Sequence, residues 1–184
     1  MVVTLLVITV ISSASVGFVY NLTKEPKLAA EMSKQNFAIK AVSAEYDNDP
    51  FSEAYEIESF DGGENLVCYP TIKNGELTGI AVKTWTMKGF SGLIRLMVGF
   101  DQSGNIINIS VLEQKETPGL GTKMTETVFS DQFNGKNPRT NNLNVKKDGG
   151  EVDAITAATI SSRAFSDAVT RAYKSLEKTG NLVK

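Results

Sequence analysis

The first 23 residues form an unbroken uncharged stretch, and the first charged side chain is that of Lys24. A helix of this length, at about 1.5 Å per residue, crosses the roughly 30 Å hydrocarbon core of a bilayer. The pattern therefore predicts a transmembrane helix over residues 1–23. A signal peptide fits less well, because no basic segment precedes the apolar run and the run is longer than is usual in such peptides. A cleaved or soluble helix stays an alternative. Thr9, Ser13 and Gly17 form a small-residue stripe of the kind that allows another membrane helix to approach closely.

Residues 24–50 are predicted to form a connecting helix and a linker. Leu28, Met32, Ile39 and Val42 approximate helical spacing, with lysine and glutamate between them. Asp47-Asn48-Asp49-Pro50 then favours a turn, because proline and short polar side chains interrupt helices. The globular domain is expected to occupy residues 51–184.

Short apolar stretches separated by turn sequences predict a β-rich globular domain. Three hairpins are expected: Leu66–Ile72 with Leu77–Thr86 around Asn74-Gly75, Leu93–Phe100 with Ile106–Leu112 around Asp101–Gly104, and Asn144–Lys147 with Glu151–Ile155 around Asp148–Gly150. Asn-Gly is a strong signal because it suits a type I′ turn. Two helices are also expected: Lys123–Phe133, with Gly135 as its C-terminal cap, and Arg163–Leu176, with Ser161 or Ser162 as N-cap and Gly180 as the stop signal. The predicted class is α+β, an N-terminal transmembrane helix followed by a twisted, mostly antiparallel sheet packed with helices.

Composition removes several classes of function. The formal charge is −2 and no basic cluster is present, which argues against a nucleic-acid partner. The chain contains no histidine, which excludes Ser-His-Asp triads, Cys-His pairs and the usual histidine metal sites. No metal site is therefore expected, and redox chemistry would need a cofactor. The single cysteine, Cys68, lies in an apolar run and is expected to be a buried structural thiol rather than a reactive one.

Two loops and one helix start carry the candidate chemistry. Gly89-Phe90-Ser91-Gly92 separates two predicted strands, and Glu116-Thr117-Pro118-Gly119-Leu120-Gly121-Thr122 follows the strand that ends near Leu112. Glycine lets the backbone approach a flat ligand closely, and Leu120 could lie against a planar ring or tuck into the core. Thr159 precedes the last predicted helix, whose N-terminal amides and dipole favour a phosphate. The alternative for Thr159 is the ordinary start of a capped helix.

Two motifs resemble the covalent FMN-binding domain family. They are Glu116-Thr117-Pro118-Gly119-Leu120-Gly121 and, later in the chain, Asp153-x-x-Thr156-Ala157-Ala158-Thr159-x-Ser161. Within that family the chain looks like the G subunit of the Rnf electron-transport complex and, more distantly, the C subunit of the sodium-translocating NADH:quinone reductase. The N-terminal membrane helix and the Gly-Phe-Ser-Gly loop also fit, so the resemblance covers essentially the whole chain.

The resemblance implies that Thr159 is esterified to the phosphate of FMN and that the Pro-Gly-Leu-Gly loop packs against the flavin ring. A flavin transferase would install the FMN from FAD, recognising Asp153 and the small residues before the threonine. The other residues implied at the cofactor are Gly89, Ser91, Glu116, Thr117, Gly119, Leu120, Gly121, Thr156, Ala157, Ala158 and Ser161. Ala157 departs from the family, which frequently has glycine there. If that position has a positive φ, alanine costs about 1 kcal/mol.

The implied function is electron relay within a membrane-bound, ion-translocating oxidoreductase of the Rnf type, which couples ferredoxin and NAD chemistry to ion movement. The other membrane subunits of that complex are the implied partners. The chain would be a redox subunit that binds no NAD itself, because no Gly-x-Gly-x-x-Gly follows a strand. The resemblance implies a single-pass protein of the inner, cytoplasmic membrane with its domain on the periplasmic side, whereas Lys24 and Lys27 weakly favour the cytoplasmic side. The chain begins inside its apolar run, so a short preceding segment is expected and the charge count does not decide the orientation.

Two other classes of protein stay open at this point. A pilin-like structural subunit also places an uncharged helix before a β-rich head. Pilins usually have a glutamate near the mature N-terminus, where this chain has Leu5, and often a disulfide, whereas Cys68 has no second cysteine to pair with. A membrane-anchored module that holds a small ligand noncovalently is the third class. A yellow protein whose mass exceeds that of the sequence by one bound FMN would exclude the pilin-like class.

Overall fold

The computed structural model describes residues 1–180. The chain divides into two units, Met1–Phe37 and Ala38–Lys184. The first unit consists of most of helix α1, which spans Val2–Val42 without interruption. The predicted membrane segment and the predicted connecting helix are therefore one element. The domain boundaries at residues 23 and 50 stay predictions.

Helix α1 is long and apolar enough to cross a membrane. Its hydroxyl groups bond within the helix: Thr9 donates to the carbonyl oxygen of Leu5 and Ser15 to that of Ile11, both at 2.8 Å. Such internal bonds satisfy polar groups that lipid could not. Pro26 lies inside the helix without ending it, since the lysine, glutamate, leucine and alanine residues around it favour helix.

The second unit contains one five-stranded antiparallel sheet in which the strands lie side by side in chain order. The strands are β1 (Tyr55–Ile57), β2 (Leu66–Lys73), β3 (Glu76–Gly89), β4 (Gly92–Phe100) and β5 (Ile106–Glu113). Asn74 and Gly75 join β2 to β3 with φ angles of 53° and 80°, which are the positive values of the predicted type I′ turn. The second predicted hairpin is formed by β4 and β5. The α+β class is confirmed.

Both faces of the sheet are covered. Helix α3 (Thr159–Thr179) packs across one face, chiefly on β3 and β4. Its predicted apolar stripe is fully buried and consists of Phe165, Ala168, Val169, Ala172 and Leu176. The other face packs against Ala38, Ile39 and Val42 at the end of α1. Cys68 is buried on β2, and burial raises the pKa of its thiol to about 12, as expected for an unreactive structural cysteine.

Two predicted elements are wrong. The expected helix over Lys123–Phe133 is instead a 3₁₀ helix at Gly121–Thr125, helix α2 at Thr127–Ser130 and a 3₁₀ helix at Asp131–Phe133. Extended backbone at Glu126 separates the first two. The hydroxyl of Thr125 bonds to the carbonyl oxygen of Thr122, an example of the local competition that makes threonine a poor helix former.

The third hairpin is also wrong. Residues Lys146–Asp148 form a 3₁₀ turn that ends at Gly149, and Val145 and Val152 make one parallel bridge rather than an antiparallel ladder. Asn142 holds this loop by accepting a bond from the amide of Asn144 and donating to the carbonyl oxygen of Gly149. Short amide side chains of this kind offer the backbone an alternative to strand pairing.

Candidate cofactor site

A cavity of about 320 Å³ lies where the β3–β4 loop, the loop after β5 and the start of α3 meet. It is lined by Phe90, Glu116, Thr117, Leu120, Gly121, Ala157, Ala158, Thr159, Ile160 and Ser161. Each of the two sequence motifs therefore forms one wall of the cavity, and the loop between β3 and β4 forms the third. Its size falls in the range of about 300–1,000 Å³ typical of small-molecule sites.

Thr159 is the first residue of α3, at the edge of this cavity. The helix starts four residues before the predicted Arg163, and the predicted serine cap is wrong: Ala158 is the N-cap residue, and it makes no side-chain capping bond. The Ser162 hydroxyl instead donates to the carbonyl oxygen of Ala158 and accepts from the amide of Ile155. The first turn thus faces the cavity without a side-chain cap, which is the arrangement that favours an anionic group.

The residue before the N-cap has an unusual backbone. Ala157 has a φ of 61°, the left-handed region in which a Cβ atom meets the following carbonyl oxygen. Alanine stands here at a position where the resembling family frequently has glycine, and the position does have a positive φ. The alanine therefore costs about 1 kcal/mol. This turn brings Ala157, Ala158 and Thr159 together on the cavity wall.

The apolar side chains of the cavity are unusually accessible. Phe90 is 67% exposed, Ile160 48% and Leu120 40%. Leu120 therefore does not tuck into the core, the alternative raised by its sequence. Apolar surface of this kind, concentrated at a cavity, is what a planar ring would cover.

Glu116 holds the walls of the cavity together. The residue is only 4% exposed. Oε1 accepts a bond from the backbone amide of Ser91 at 2.9 Å, and Oε2 accepts one from the hydroxyl of Ser161 at 2.5 Å. A Cβ atom at Gly121 would lie 2.7 Å from Oε2, and one at Gly89 would lie 2.8 Å from Oε1. A side chain at either position would therefore crowd the carboxylate.

The loop after Glu116 is shaped by Thr122. The Thr122 hydroxyl accepts a bond from the amide of Gly119 at 2.9 Å, and the amide of Leu120 donates to the carbonyl oxygen of Thr117 at 3.1 Å. Gly119 has a φ of 75°. These bonds close a tight turn that directs Leu120 toward the cavity. Thr122 was not among the predicted site residues, although it directly follows the motif.

Asp153 and Thr156 do not line this cavity. They lie in a second cavity of about 480 Å³, together with Lys123, Glu126, Val128, Phe129, Gln132, Ala154 and Ile155. Asp153 forms an ion pair with Lys146 at 2.7 Å. Gln132 pairs with the backbone of Asp153 in both directions, accepting from its amide at 2.8 Å and donating to its carbonyl oxygen at 3.2 Å.

The structure brings most predicted site residues together. Gly89, Ser91 and Gly119 do not line the first cavity. The Ser91 amide bonds to Glu116, and a Cβ atom at Gly89 would crowd the same carboxylate. Sequence reasoning missed Phe90, Ile160 and Gln132. The signal for Phe90 was available, because it is an apolar residue in a glycine-flanked loop, as Leu120 is. Nothing local in the sequence marks Gln132, which acts 21 residues away from its partner.

Residues 89–174, which include two of the cavity's three walls and the start of α3, match the family model described as the FMN-binding domain. The G subunit of the ion-translocating oxidoreductase complex of Photorhabdus laumondii is 35% identical over 92% of this chain and 85% of its own length. Its counterpart in Pasteurella multocida is 37% identical over 94% of this chain and 90% of its own length. The chain belongs to the family of the G subunits of ion-translocating oxidoreductase complexes.

Solved structures agree with the fold. The C subunit of the Na⁺-translocating NADH-quinone reductase from Parabacteroides distasonis superposes with a TM-score of 0.52 and 19% identity, covering 77% of this chain and 73% of that one. NqrC of Shewanella oneidensis gives a TM-score of 0.51 at 18% identity, covering 76% of this chain and 68% of that one. At these identities the likeness supports the architecture of the domain and the order of its elements.

Proposed function

We propose that this chain carries FMN linked by a phosphoester to Thr159 and relays electrons as one subunit of a membrane-bound, ion-translocating oxidoreductase of the Rnf type, acting between ferredoxin and NAD. One observation carries the proposal: Thr159 begins a helix without a side-chain cap at the edge of an apolar cavity. A hydroxyl for attachment, amides for a phosphate and apolar walls for a ring are all within one site.

The residues present fit FMN. The amides of the first turn of α3 would hold the phosphate charge, and Phe90, Leu120 and Ile160 would contact the apolar ring system. The segment Thr156–Ala158 would bring the phosphate to Thr159, and Thr117 and Gly119 would shape the loop beside the ring. Bound FMN would supply electron transfer, chemistry that the side chains of this chain do not provide.

Attachment requires another enzyme. A threonine hydroxyl is a weak nucleophile without a base, and the chain has no histidine to serve as one. A flavin transferase would break the diphosphate bond of FAD, join the FMN phosphorus to Thr159 Oγ1, release AMP and take up the threonine proton. Asp153 is exposed and borders the second cavity rather than the first, so a transferase could recognise it while the ring cavity stays free.

The same proposal assigns the remaining parts of the chain. Residues 1–23 would span the inner membrane once, residues 24–50 would connect, and residues 51–184 would form the FMN-binding domain on the periplasmic side. The relatives belong to a complex, so the other membrane subunits of that complex are the expected partners. The subunit would bind no NAD. Protease accessibility in intact spheroplasts tests the orientation.

The attachment is tested by producing the full chain with its transferase and comparing the parent protein with Thr159→Ala. The parent should give an ultraviolet-fluorescent band on a denaturing gel and a mass increase of one FMN, and Thr159→Ala should lose both. Thr140→Ala, at an exposed loop threonine, is the matched control and should keep both. Because denaturation releases a noncovalent ligand, the gel also separates covalent from noncovalent binding. Fluorescence that persists in Thr159→Ala overturns the assignment.

A further inference from the structure

The buried carboxylate of Glu116 joins three segments that are far apart in sequence. Its hydrogen-bond partners, Ser91 and Ser161, lie 25 and 45 residues away along the chain. We propose that Glu116 is a positioning residue that fixes the relative placement of the cavity walls and thereby the place of the cofactor ring. The proposal rests on the function proposed above, because it names how this chain holds the ring.

Three residues beside the Glu116 carboxylate are chain neighbours of exposed apolar wall residues. Ser91 follows Phe90, Gly121 follows Leu120, and Ser161 follows Ile160. The three apolar side chains are 40–67% exposed, so packing in the core does not fix them. Their positions depend on the backbone next to them, which is the backbone that Glu116 holds.

The contacts need a side chain that ends in two hydrogen-bonding atoms. One oxygen accepts from a backbone N–H and the other from a hydroxyl, and a carboxylate this deeply buried is stable only when such bonds are made. The amide of Glu116 itself donates to Oε1 of Gln114 at 2.6 Å, which fixes the start of the loop. Glutamine has the same shape and one acceptor oxygen, so it can keep the bond from the Ser91 amide and donate to the Ser161 oxygen.

The first test uses the full chain in detergent, made without the transferase, and measures amide hydrogen exchange in peptides covering residues 89–92. Glu116→Ala should speed exchange there on the order of tenfold, the change that corresponds to losing a hydrogen bond worth about 1.4 kcal/mol. Glu116→Gln should restore most of the protection. Glu53→Ala, at an exposed glutamate outside both cavities, is the matched control and should leave exchange unchanged.

The second test uses the flavin-loaded chain and measures quenching of flavin fluorescence by iodide. Glu116→Ala should raise the quenching constant several-fold, Ser161→Ala should raise it less, and Glu116→Gln and the control Glu53→Ala should stay near the parent value. A merely structural role would lower the thermal midpoint without this order of quenching. If Glu116→Ala does not fold, the difference between Ser161→Ala and Glu53→Ala decides the proposal in its place.

Unchanged exchange and unchanged quenching in folded Glu116→Ala, or in Ser161→Ala where Glu116→Ala does not fold, would overturn the proposal. Failure of the proposed function gives a different result. A parent chain that takes up no flavin would refute covalent FMN binding, whereas the exchange measurement on the unloaded chain would still decide whether Glu116 holds the walls.

Discussion

Helix α3 carries two buried polar clusters with different surroundings. The first, the Glu116 cluster, lies at the start of the helix and consists of Glu116, Ser91, Ser161, Gly89 and Gly121. The second, the Arg171 cluster, consists of Arg171, Ser59, Asp61, Phe60 and Trp85. Arg171 is 6% exposed. Its guanidinium donates to Asp61 at 2.6 Å and to Ser59 at 3.1 Å, and lies 4.6 Å from the centre of the Trp85 ring.

The difference lies in what each cluster holds in place. Arg171 fixes the loop around residues 59–61 against α3 and is covered by aromatic rings. The hydrogen bond from Ser59, and then that from Arg171, holds the pKa of Asp61 below its usual range against the opposing effect of burial. Glu116 instead holds loops whose apolar residues border a cavity. A buried charge by itself therefore does not identify a functional site, and its neighbours have to be considered.

The substitution with the largest expected effect on stability lies in the Arg171 cluster and distinguishes it from the Glu116 cluster. Arg171→Leu should lower the free energy of unfolding by about 2 kcal/mol through lost hydrogen bonds and cation–π contacts. The estimate is below that for a fully buried pair because the Asp61 side chain is 39% exposed and stays solvated. We expect a fall of about 4–8 °C in thermal midpoint with unchanged iodide quenching in the folded fraction.

Lys174→Ala is the control for that experiment. Lys174 lies over the ring of Phe60 at 5.2 Å but is exposed, so its removal should change stability by less than about 0.5 kcal/mol. If Arg171→Leu alters flavin quenching as strongly as Glu116→Ala does, the division between a structural cluster and a positioning cluster is wrong.

Gly121→Ala tests how tightly the Glu116 cluster is packed. The new Cβ would lie 2.6 Å from Ser161 Oγ and 2.7 Å from Glu116 Cβ, and overpacking of this kind costs about 1–3 kcal/mol. Thermal unfolding should show the loss, together with increased quenching of the bound flavin. Gly119→Ala is the control: nothing lies within 4 Å of its Cβ, so only the left-handed backbone opposes it, at about 1 kcal/mol. An equal or larger loss in Gly119→Ala would show that the cluster can rearrange.

Much of the fold could be predicted because its signals are local. Asn74-Gly75 defines a turn from two residues, and the apolar stripe from Phe165 to Leu176 defines a buried helix face. The predicted start of that helix was wrong because Ser161 and Ser162, good caps by sequence, are engaged elsewhere. The predicted helix over residues 123–133 was also wrong, because the backbone at Glu126 is extended and divides the segment.

The sequence predicted the candidate site as two motifs, but it did not predict the contacts that hold the site together. The motifs indicate which residues belong to the site, and most of them line one cavity. That Glu116 would contact Ser91 and Ser161, and that Asp153 would lie in a different cavity, depends on which loops meet after folding. Contacts over such separations leave no pattern in a single sequence, because periodicity and turn preference act over a few residues.

Ala157→Gly addresses the strain beside Thr159. Glycine adopts the observed φ of 61° freely, so the substitution should raise stability by about 0.5 kcal/mol after allowing for the greater entropy of the unfolded chain. Ala154→Gly, three residues earlier, is the control and should lower stability by up to about 1 kcal/mol, because Ala154 is not among the residues with positive φ. Thermal midpoints of the unloaded chains measure both. A loss of stability in Ala157→Gly would show that the left-handed alanine carries little strain.

Leu120→Ala should have the smallest effect on folding and still change the site. Leu120 is 40% exposed, so its truncation should change the free energy of unfolding by less than about 0.5 kcal/mol. Loss of its side chain from the cavity wall should nonetheless raise iodide quenching of the bound flavin. Val128→Ala removes a more exposed apolar side chain from the other cavity and should change neither quantity. Equal quenching in the two variants would place the ring away from Leu120 and restrict the role of the Glu116 cluster to holding the loops.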